Sequence, residues 1–419
     1  MKYITTKLLI AFLLMNLIFE KVCGQAWVAK ASIQQGASGR GAAQSFVLNN
    51  KLYVAGGYVG FTAGYTIDMQ MFDPVANTWV SKTPPAEANR SSGVSFVING
   101  KAYMGLGAKN FLSFSPAQEL LNDMNEYNDV SNSWIPKAAF PDSGRTDCAV
   151  FVAGGKAYVI GGEKGTPAVK TAEVWEYNPA SNTWTKKADF LGGAIANATG
   201  FTDGNKAFIT GGILANGTVS NKTYEYNAVS DTWTAKANLP VSNQGGTAFV
   251  IGGNAYYGLG SNMDLGGAGA SFLTTFYKYD IVANTWTAMA FNWTAPGRLW
   301  PVAGVINNKA YVGAGYKYAG GEFAYKDLFE LSLTPNSTND VGGNSQLIFY
   351  PNPANNLLQI NTNGRESIIE IYNVSGQRIF SNEYRDNAAI DISGIADGQY
   401  ILSVKNDAGI LKEKLVISR

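Results

Sequence analysis

Val150-Phe151-Val152-Ala153-Gly154-Gly155-Lys156-Ala157-Tyr158-Val159-Ile160-Gly161-Gly162, followed by Val174-Trp175-Glu176-Tyr177-Asn178-Pro179-Ala180-Ser181-Asn182-Thr183-Trp184, holds one complete copy of a recurring pattern. It reads as four short strands. An apolar run meets a Gly-Gly turn, and a second run closes on a glycine pair. The third strand carries Tyr177, and the fourth starts at Trp184, seven residues on. β-branched and aromatic residues bounded by Gly, Asn and Pro form strands rather than helices.

Both halves of this stretch recur along the chain. The tryptophan phrase returns as Asn77-Thr78-Trp79, Asn132-Ser133-Trp134, Asp231-Thr232-Trp233 and Asn284-Thr285-Trp286, with Phe72, Tyr127, Tyr226 and Tyr279 seven residues ahead. The upstream phrase returns at Lys51-Leu52-Tyr53, Lys101-Ala102-Tyr103, Lys206-Ala207-Phe208, Asn254-Ala255-Tyr256 and Lys309-Ala310-Tyr311. Its glycine pair is kept at Gly56-Gly57 and Gly211-Gly212 and weakened to Leu106-Gly107, Leu259-Gly260 and Ala314-Gly315. A fixed period near fifty residues marks a repeat architecture in which each unit buries its face against the next. The sixth copy, Arg298 to Leu333, has no tryptophan of its own. Ala26-Trp27-Val28-Ala29-Lys30-Ala31 matches Thr232-Trp233-Thr234-Ala235-Lys236-Ala237 in phase, so the N-terminal strand is expected to complete the sixth unit and close the ring. Closure removes the exposed sheet edges of an open propeller. Trp27, Trp79, Trp134, Trp184, Trp233 and Trp286 are then structural.

This pattern resembles the kelch repeat, whose signature is the glycine pair with a downstream Tyr and Trp at about this spacing. The resemblance covers about residues 26 to 333 and implies an all-β, six-bladed kelch-type β-propeller, one blade per repeat. In such a blade the short a–b and c–d turns share one face and the b–c loops the other. The b–c loops vary in length here, which is how binding faces are usually built on a constant scaffold.

Arg40, Arg90, Arg145 and Arg298 each stand thirteen residues before the aromatic of strand b, where the chain enters strand a; Ile195 and Asn243 hold that place in the other two repeats. In kelch propellers arginines at this position line the channel mouth and can bind acidic ligands, and guanidinium forks suit carboxylates. The structural alternative is that each arginine bonds backbone carbonyls of a neighbouring blade. Trp293 and Trp300 flank Arg298 and join the arginines as candidate ligand contacts. Tyr58, Phe61, Tyr65, Phe111, Phe114, Tyr316, Tyr318, Phe323 and Tyr325 are expected on the same face, either stacking on a sugar or peptide or packing as small satellite cores. Asp68, Glu119, Asp123, Glu163, Asp264 and Glu322 are enough carboxylates for a glycosidase-like pair, but no spacing singles out two. No catalytic residue can be named.

Composition excludes several functions. The formal charge is +1 and no long basic run exists, so no nucleic-acid partner is expected. Histidine is absent, which removes Ser-His-Asp triads and imidazole metal sites. No metal or cofactor is expected. Lys2 and Lys7, the apolar run Leu8 to Phe19 and the small residues before Gln25 read as a signal peptide over residues 1–24. No second apolar segment is long enough to span a membrane. Cleavage leaves Cys148 as the one cysteine, so packing rather than disulfides must stabilise the protein.

The propeller is expected over 25–333, a polar linker over 334–346, and a small antiparallel β-sandwich over 347–419. Tyr350-Pro351-Asn352-Pro353, Ile371-Tyr372-Asn373-Val374-Ser375-Gly376, Gly398-Gln399-Tyr400 and Lys414-Leu415-Val416-Ile417 make this tail similar to the type A C-terminal sorting domain of the type IX secretion system. The similarity implies a Bacteroidetes-like secreted protein, with the type IX machinery as partner, displayed at the outer surface or released. The expected function is a binding propeller for a glycan or a protein. A carbohydrate-active enzyme using acidic loop residues is the alternative.

Overall fold

Among the described residues, six four-stranded antiparallel sheets follow one another around an axis, five built from one sequence repeat each and the sixth completed by the N-terminal strand. A computed structural model describes residues 27–33, 39–60, 64–109, 118–204, 206–263, 271–290, 293–318, 322–333, 348–362, 365–373, 377–385, 388–406 and 409–419. The expected signal peptide, 1–24, and the expected linker, 334–346, lie outside the described residues. In repeat 1 the strands, named a to d, are Gln44–Leu48, Lys51–Ala55, Met69–Asp73 and Thr78–Lys82, and the other repeats keep this order. Strand d of repeat 6 is Trp27–Lys30, paired antiparallel with Leu328–Ser332 in the register Trp27 to Leu331. Each strand a neighbours strand a of the next repeat, and the sixth neighbours the first, so the ring is closed.

Burial differs from strand to strand according to what covers each one. Strand b lies between neighbouring sheets on both faces and is almost wholly buried (Leu52 to Ala55, Ala157 to Ile160), which explains its continuous apolar run. Strand a alternates, as in Gln44–Leu48, and strand d is largely exposed. Aromatics join the blades. Phe46 stacks on Tyr53 at 4.9 Å, and both meet Tyr127 of the following repeat. Phe96 and Tyr103 meet Tyr177 in the same way.

The Asn-Thr-Trp phrase does a second job that explains its recurrence. Asn77, Asn132, Asn182, Asp231 and Asn284 all sit at positive φ, which Asn and Asp tolerate better than other side chains. Each accepts a backbone N–H from the preceding blade, and the tryptophan two residues later commonly donates to the carbonyl of that same residue. Ala138 N–H donates to Asn182 Oδ1 at 2.9 Å while Trp184 Nε1 donates to Ala138 O at 2.9 Å. Thr83 and Ala237 are gripped alike by the following repeats. The grip that seals the ring is on Ala31, just after the N-terminal strand, held by Asn77 and Trp79.

The described residues fall into two compact units, one inside Gly24–Thr334 and one inside Pro335–Arg419. In the second, a three-stranded sheet (Ile348–Tyr350, Leu357–Asn361, Ala388–Asp391) faces a four-stranded one (Ser367–Asn373, Arg378–Tyr384, Gly398–Asn406, Gly409–Ile417) over a core of Leu358, Ile360, Ile369, Ile371, Leu402 and Leu415. The motif residues brace this sandwich: Asn352 donates to Lys414 O at 3.0 Å and accepts Val416 N–H at 2.8 Å, and the Tyr400 hydroxyl donates to Ala396 O. Gly376 lies outside the described residues.

Candidate binding site at the channel mouth

The mouth on the b–c loop side is built from backbone first. The second residue of each glycine pair donates its N–H to the carbonyl of the residue that leads into strand a of the next repeat. Gly57 donates to Arg90, Gly107 to Arg145, Gly162 to Ile195, Gly212 to Asn243, Gly260 to Arg298 and Gly315 to Arg40, at 2.7–2.9 Å. These glycines have positive φ, and a Cβ on Gly107 would lie 2.5 Å from Ser91 O, so both conformation and space require glycine.

Arg40, Arg90, Arg145 and Arg298 therefore stand between blades, and all four are buried. Each guanidinium donates to a carbonyl of its own repeat, Gly56, Leu106, Gly161 and Ala314 respectively, rather than to the neighbouring blade's carbonyls. Each also holds a carboxylate: Arg40 grips Asp68 and Arg90 grips Asp123 with both NH groups, Arg298 pairs with Asp327, and Arg145 pairs with Asp142 and Glu173. Bidentate pairs of this kind fix the b–c junction in place. Burial works against the charge of Glu173, but Arg145, Lys164 and Lys186 hold its carboxyl down to about 2. One sequence signal could have disclosed the pairing. An acid stands four residues before the strand c core residue in the repeats that carry the arginine (Asp68, Asp123, Glu173, Asp327), whereas Lys222 and Thr275 stand there in the two that do not.

The candidate tryptophans separate. Trp293 is buried beneath Arg298, against Trp27 at 4.8 Å and Phe329 at 4.7 Å, and belongs to the closure of the ring. Trp300 reaches the channel itself. It occupies one of six equivalent positions, Ala42, Ser92, Asp147, Asn197, Gly245 and Trp300, all in the left-handed region. These form a second hydrogen-bonded ring: Ser92 N–H donates to Ala42 O, Asp147 to Ser92, Asn197 to Asp147, Gly245 to Asn197, Trp300 to Gly245 and Ala42 to Trp300, at 2.7–3.2 Å. A tryptophan at positive φ is an uncommon conformation for a bulky residue, held here by the ring. Its indole passes over Gly245, where a Cβ would come within 3.0 Å of Nε1, and donates to Asn197 Oδ1 at 2.7 Å. The opposite half of the mouth is left to Ala42, Ser92 and Asp147. These residues line a cavity of about 200 Å³ that continues down strand a past Val150 and Thr199.

Around this mouth Trp300 stacks near Tyr316, Tyr316 meets Tyr58 at 5.3 Å and Tyr58 meets Tyr65 at 5.8 Å, forming an aromatic arc across repeats 6 and 1. Tyr325 lies over Arg298, and Tyr318 is half exposed beside the arc. Phe61, Phe111, Phe114 and Asp264 lie outside the described residues, as do the side chains of Glu322 and Phe323. Of the loop carboxylates, Asp68 and Asp123 hold arginines, Glu119 faces Lys109 and Glu163 pairs with Lys170. Among the described residues no three His, Cys, Asp or Glu side chains converge as metal ligands.

Asp147 was not among the residues that sequence reasoning singled out. Burial, then the charge of Glu163, push its carboxyl up to about 7. A carboxyl raised above its unfolded value stabilises the fold while protonated and loses that contribution as pH rises through about 7. The melting temperature is therefore expected to decline between pH 5 and pH 8, and the decline to be largely absent in Asp147→Asn. Calorimetry across this range checks it; parallel curves for the two proteins would show that Asp147 titrates normally.

Residues 39–85 and 144–191 match the kelch motif, and residues 348–418 match the secretion system C-terminal sorting domain. The solved structure of YjhT is similar in fold, with a TM-score of 0.61 and 17% identity over 73% of this chain and 98% of that one. N-acetylneuraminate epimerases of Escherichia coli O9:H4 (strain HS) and Shigella sonnei (strain Ss046) are each 32% identical over 116 residues. That stretch is 27% of this chain and spans 29% of the relatives' length. The sorting tail implies export and a surface or secreted location. No helix of the described residues is long and apolar enough to cross a membrane.

Proposed function

We propose that this exported kelch propeller is a carbohydrate-binding protein whose site is the mouth of the central channel. The observation that carries the reading is that one cavity pairs the Trp300 indole, with the buried Tyr316 packed on it, with the polar residues Ser92, Asp147 and Asn197. A sugar ring presents apolar C–H faces and a hydroxyl rim, and this pairing of surfaces suits both. The four arginines support the site from beneath, since their hydrogen-bonding capacity is taken up largely by carboxylates and carbonyls. The local similarity to N-acetylneuraminate epimerases, over 27% of this chain, supports a sugar as the class of ligand but not N-acetylneuraminate itself, whose carboxylate would meet arginines already engaged by acids.

A carbohydrate-active enzyme is the second reading. One observation favours it: Asp147, with a carboxyl pushed up to about 7, has the proton affinity of a general acid–base near neutral pH. Screening the mature secreted protein on a glycan array tests the first reading. Binding is expected, and is expected to be lost in Trp300→Ala and Asn197→Ala proteins that still melt cooperatively. Absence of binding to any glycan overturns the sugar reading and directs the search to protein partners. Turnover of a bound glycan that disappears in Asp147→Asn favours the enzyme.

A further inference from the structure

Charge in the propeller interior is almost fully compensated. The four buried arginines hold carboxylates, and the buried Glu126, Glu176 and Glu330 hold lysines at 2.6–2.9 Å. Asp147 is the exception: among the described residues it is the one buried charged side chain with no ion pair. Its Oδ1 and the Oγ of Ser92 are both buried without a completed hydrogen bond, although the hydroxyls of Ser92 and Thr146 lie close enough to favour its ionised form. An unpaired buried carboxylate is costly, whereas a paired and hydrogen-bonded one is tolerated. The surrounding groups do not supply the missing partner. Glu163 adds negative charge, Lys170 is engaged by Glu163 at 3.1 Å, the Arg145 guanidinium is held by Asp142 and Glu173, and the neighbouring Cys148 thiol is pushed up to about 12, chiefly by burial, and stays uncharged.

We propose that the channel-mouth cavity takes a protonated primary amine, its ammonium against Asp147 and its carbon body against the indole of Trp300, so that among sugars the protein selects one with a free amino group. The inference rests on the mouth being the binding site. A cavity of about 200 Å³ suits a single small ring. One wall is aromatic and the other a lone carboxylate, which is the combination that recognises ammonium groups. The same arrangement disfavours carboxylated sugars, because the arginines that could meet an acid are already neutralised.

The test is isothermal titration of the mature protein at pH 7, in amine-free buffer, with glucosamine, N-acetylglucosamine and cyclohexylamine. Glucosamine and cyclohexylamine are expected to bind, N-acetylglucosamine at least about tenfold more weakly, and the difference to vanish in Asp147→Asn. Amine binding should also release protons, because it draws the Asp147 carboxyl into its ionised form; titrations in buffers of different ionisation heat read this on the wild-type protein alone. Equal binding of the two sugars, a preference that survives in Asp147→Asn, or amine binding without proton release overturns the proposal. Equal sugar binding leaves the carbohydrate reading standing. Binding of cyclohexylamine with neither sugar upholds the amine site and overturns amino-sugar selection, and binding of none of the three overturns the proposal and leaves the carbohydrate reading to the glycan array.

Discussion

Deletion of residues 25–33 is expected to lower the melting temperature of the protein by roughly 10 °C or more, although the segment is short and lies at the chain's beginning. Three losses combine. Strand Leu328–Ser332 loses its outer partner and becomes an exposed edge. Trp27 leaves a cluster in which it meets Phe249, Phe276 and Trp293 at 4.8–6.4 Å, and loss of a buried tryptophan alone costs about 3–5 kcal/mol. Asn77 and Trp79 lose Ala31, the residue by which repeat 1 grips repeat 6. Supplying residues 25–33 as a separate peptide should restore part of the loss. An unchanged melt in the deleted protein would show that the ring does not depend on this strand.

Arg298→Ala is expected to destabilise the protein by about 3–5 kcal/mol, the range for breaking a buried ion pair by removing one partner. Arg298 is fully buried, donates to Ala314 O and Pro296 O, pairs with Asp327 and lies under the Tyr325 ring at 3.9 Å. Asp327 would keep its charge without its partner. The double variant Arg298→Met with Asp327→Leu should recover much of the loss, because two apolar groups leave no uncompensated charge. Arg298→Lys should not, since an ammonium cannot reproduce the two-pronged contact. Urea unfolding of these proteins, with the single variants Arg298→Met and Asp327→Leu added to close the cycle, yields the coupling energy. A single variant within 1 kcal/mol of wild type would free the arginine for a ligand role.

Much of this structure is legible as periodicity. The Trp phrase, the strand b phrase and the glycine pair recur in fixed phase because each contact between blades is made once per repeat. Strand d of repeat 6 could be located at Trp27 for the same reason. The tail was harder: strand Ile348–Tyr350 was not anticipated, being three residues long and followed at once by a proline. The hairpin strands Arg378–Tyr384 and Gly398–Asn406 run longer than their apolar cores, because pairing of their backbones continues where the side chains turn polar.

The candidate site was less legible. The arginines are visible as a periodic set, but of their partners Asp68 and Asp123 look like ordinary loop acids, and nothing in the sequence singles out Asp327. Asp147, Asn197 and Trp300 share a position with Ala42, Ser92 and Gly245, and no common residue type marks it.

The repeat, the blade order and the strand that closes the ring can be read from the chain alone, since each follows from a local pattern recurring at fixed spacing, and the sorting tail from its own motifs. Tertiary structure alone decided which charges were already satisfied and which group faced the channel without a partner. The physical reason is that ion pairing and burial depend on distances across blades, such as the 2.7 Å from Trp300 to Asn197 over 103 positions of chain. A repeat fixes the backbone of such a position while leaving its side chain free to differ in every copy.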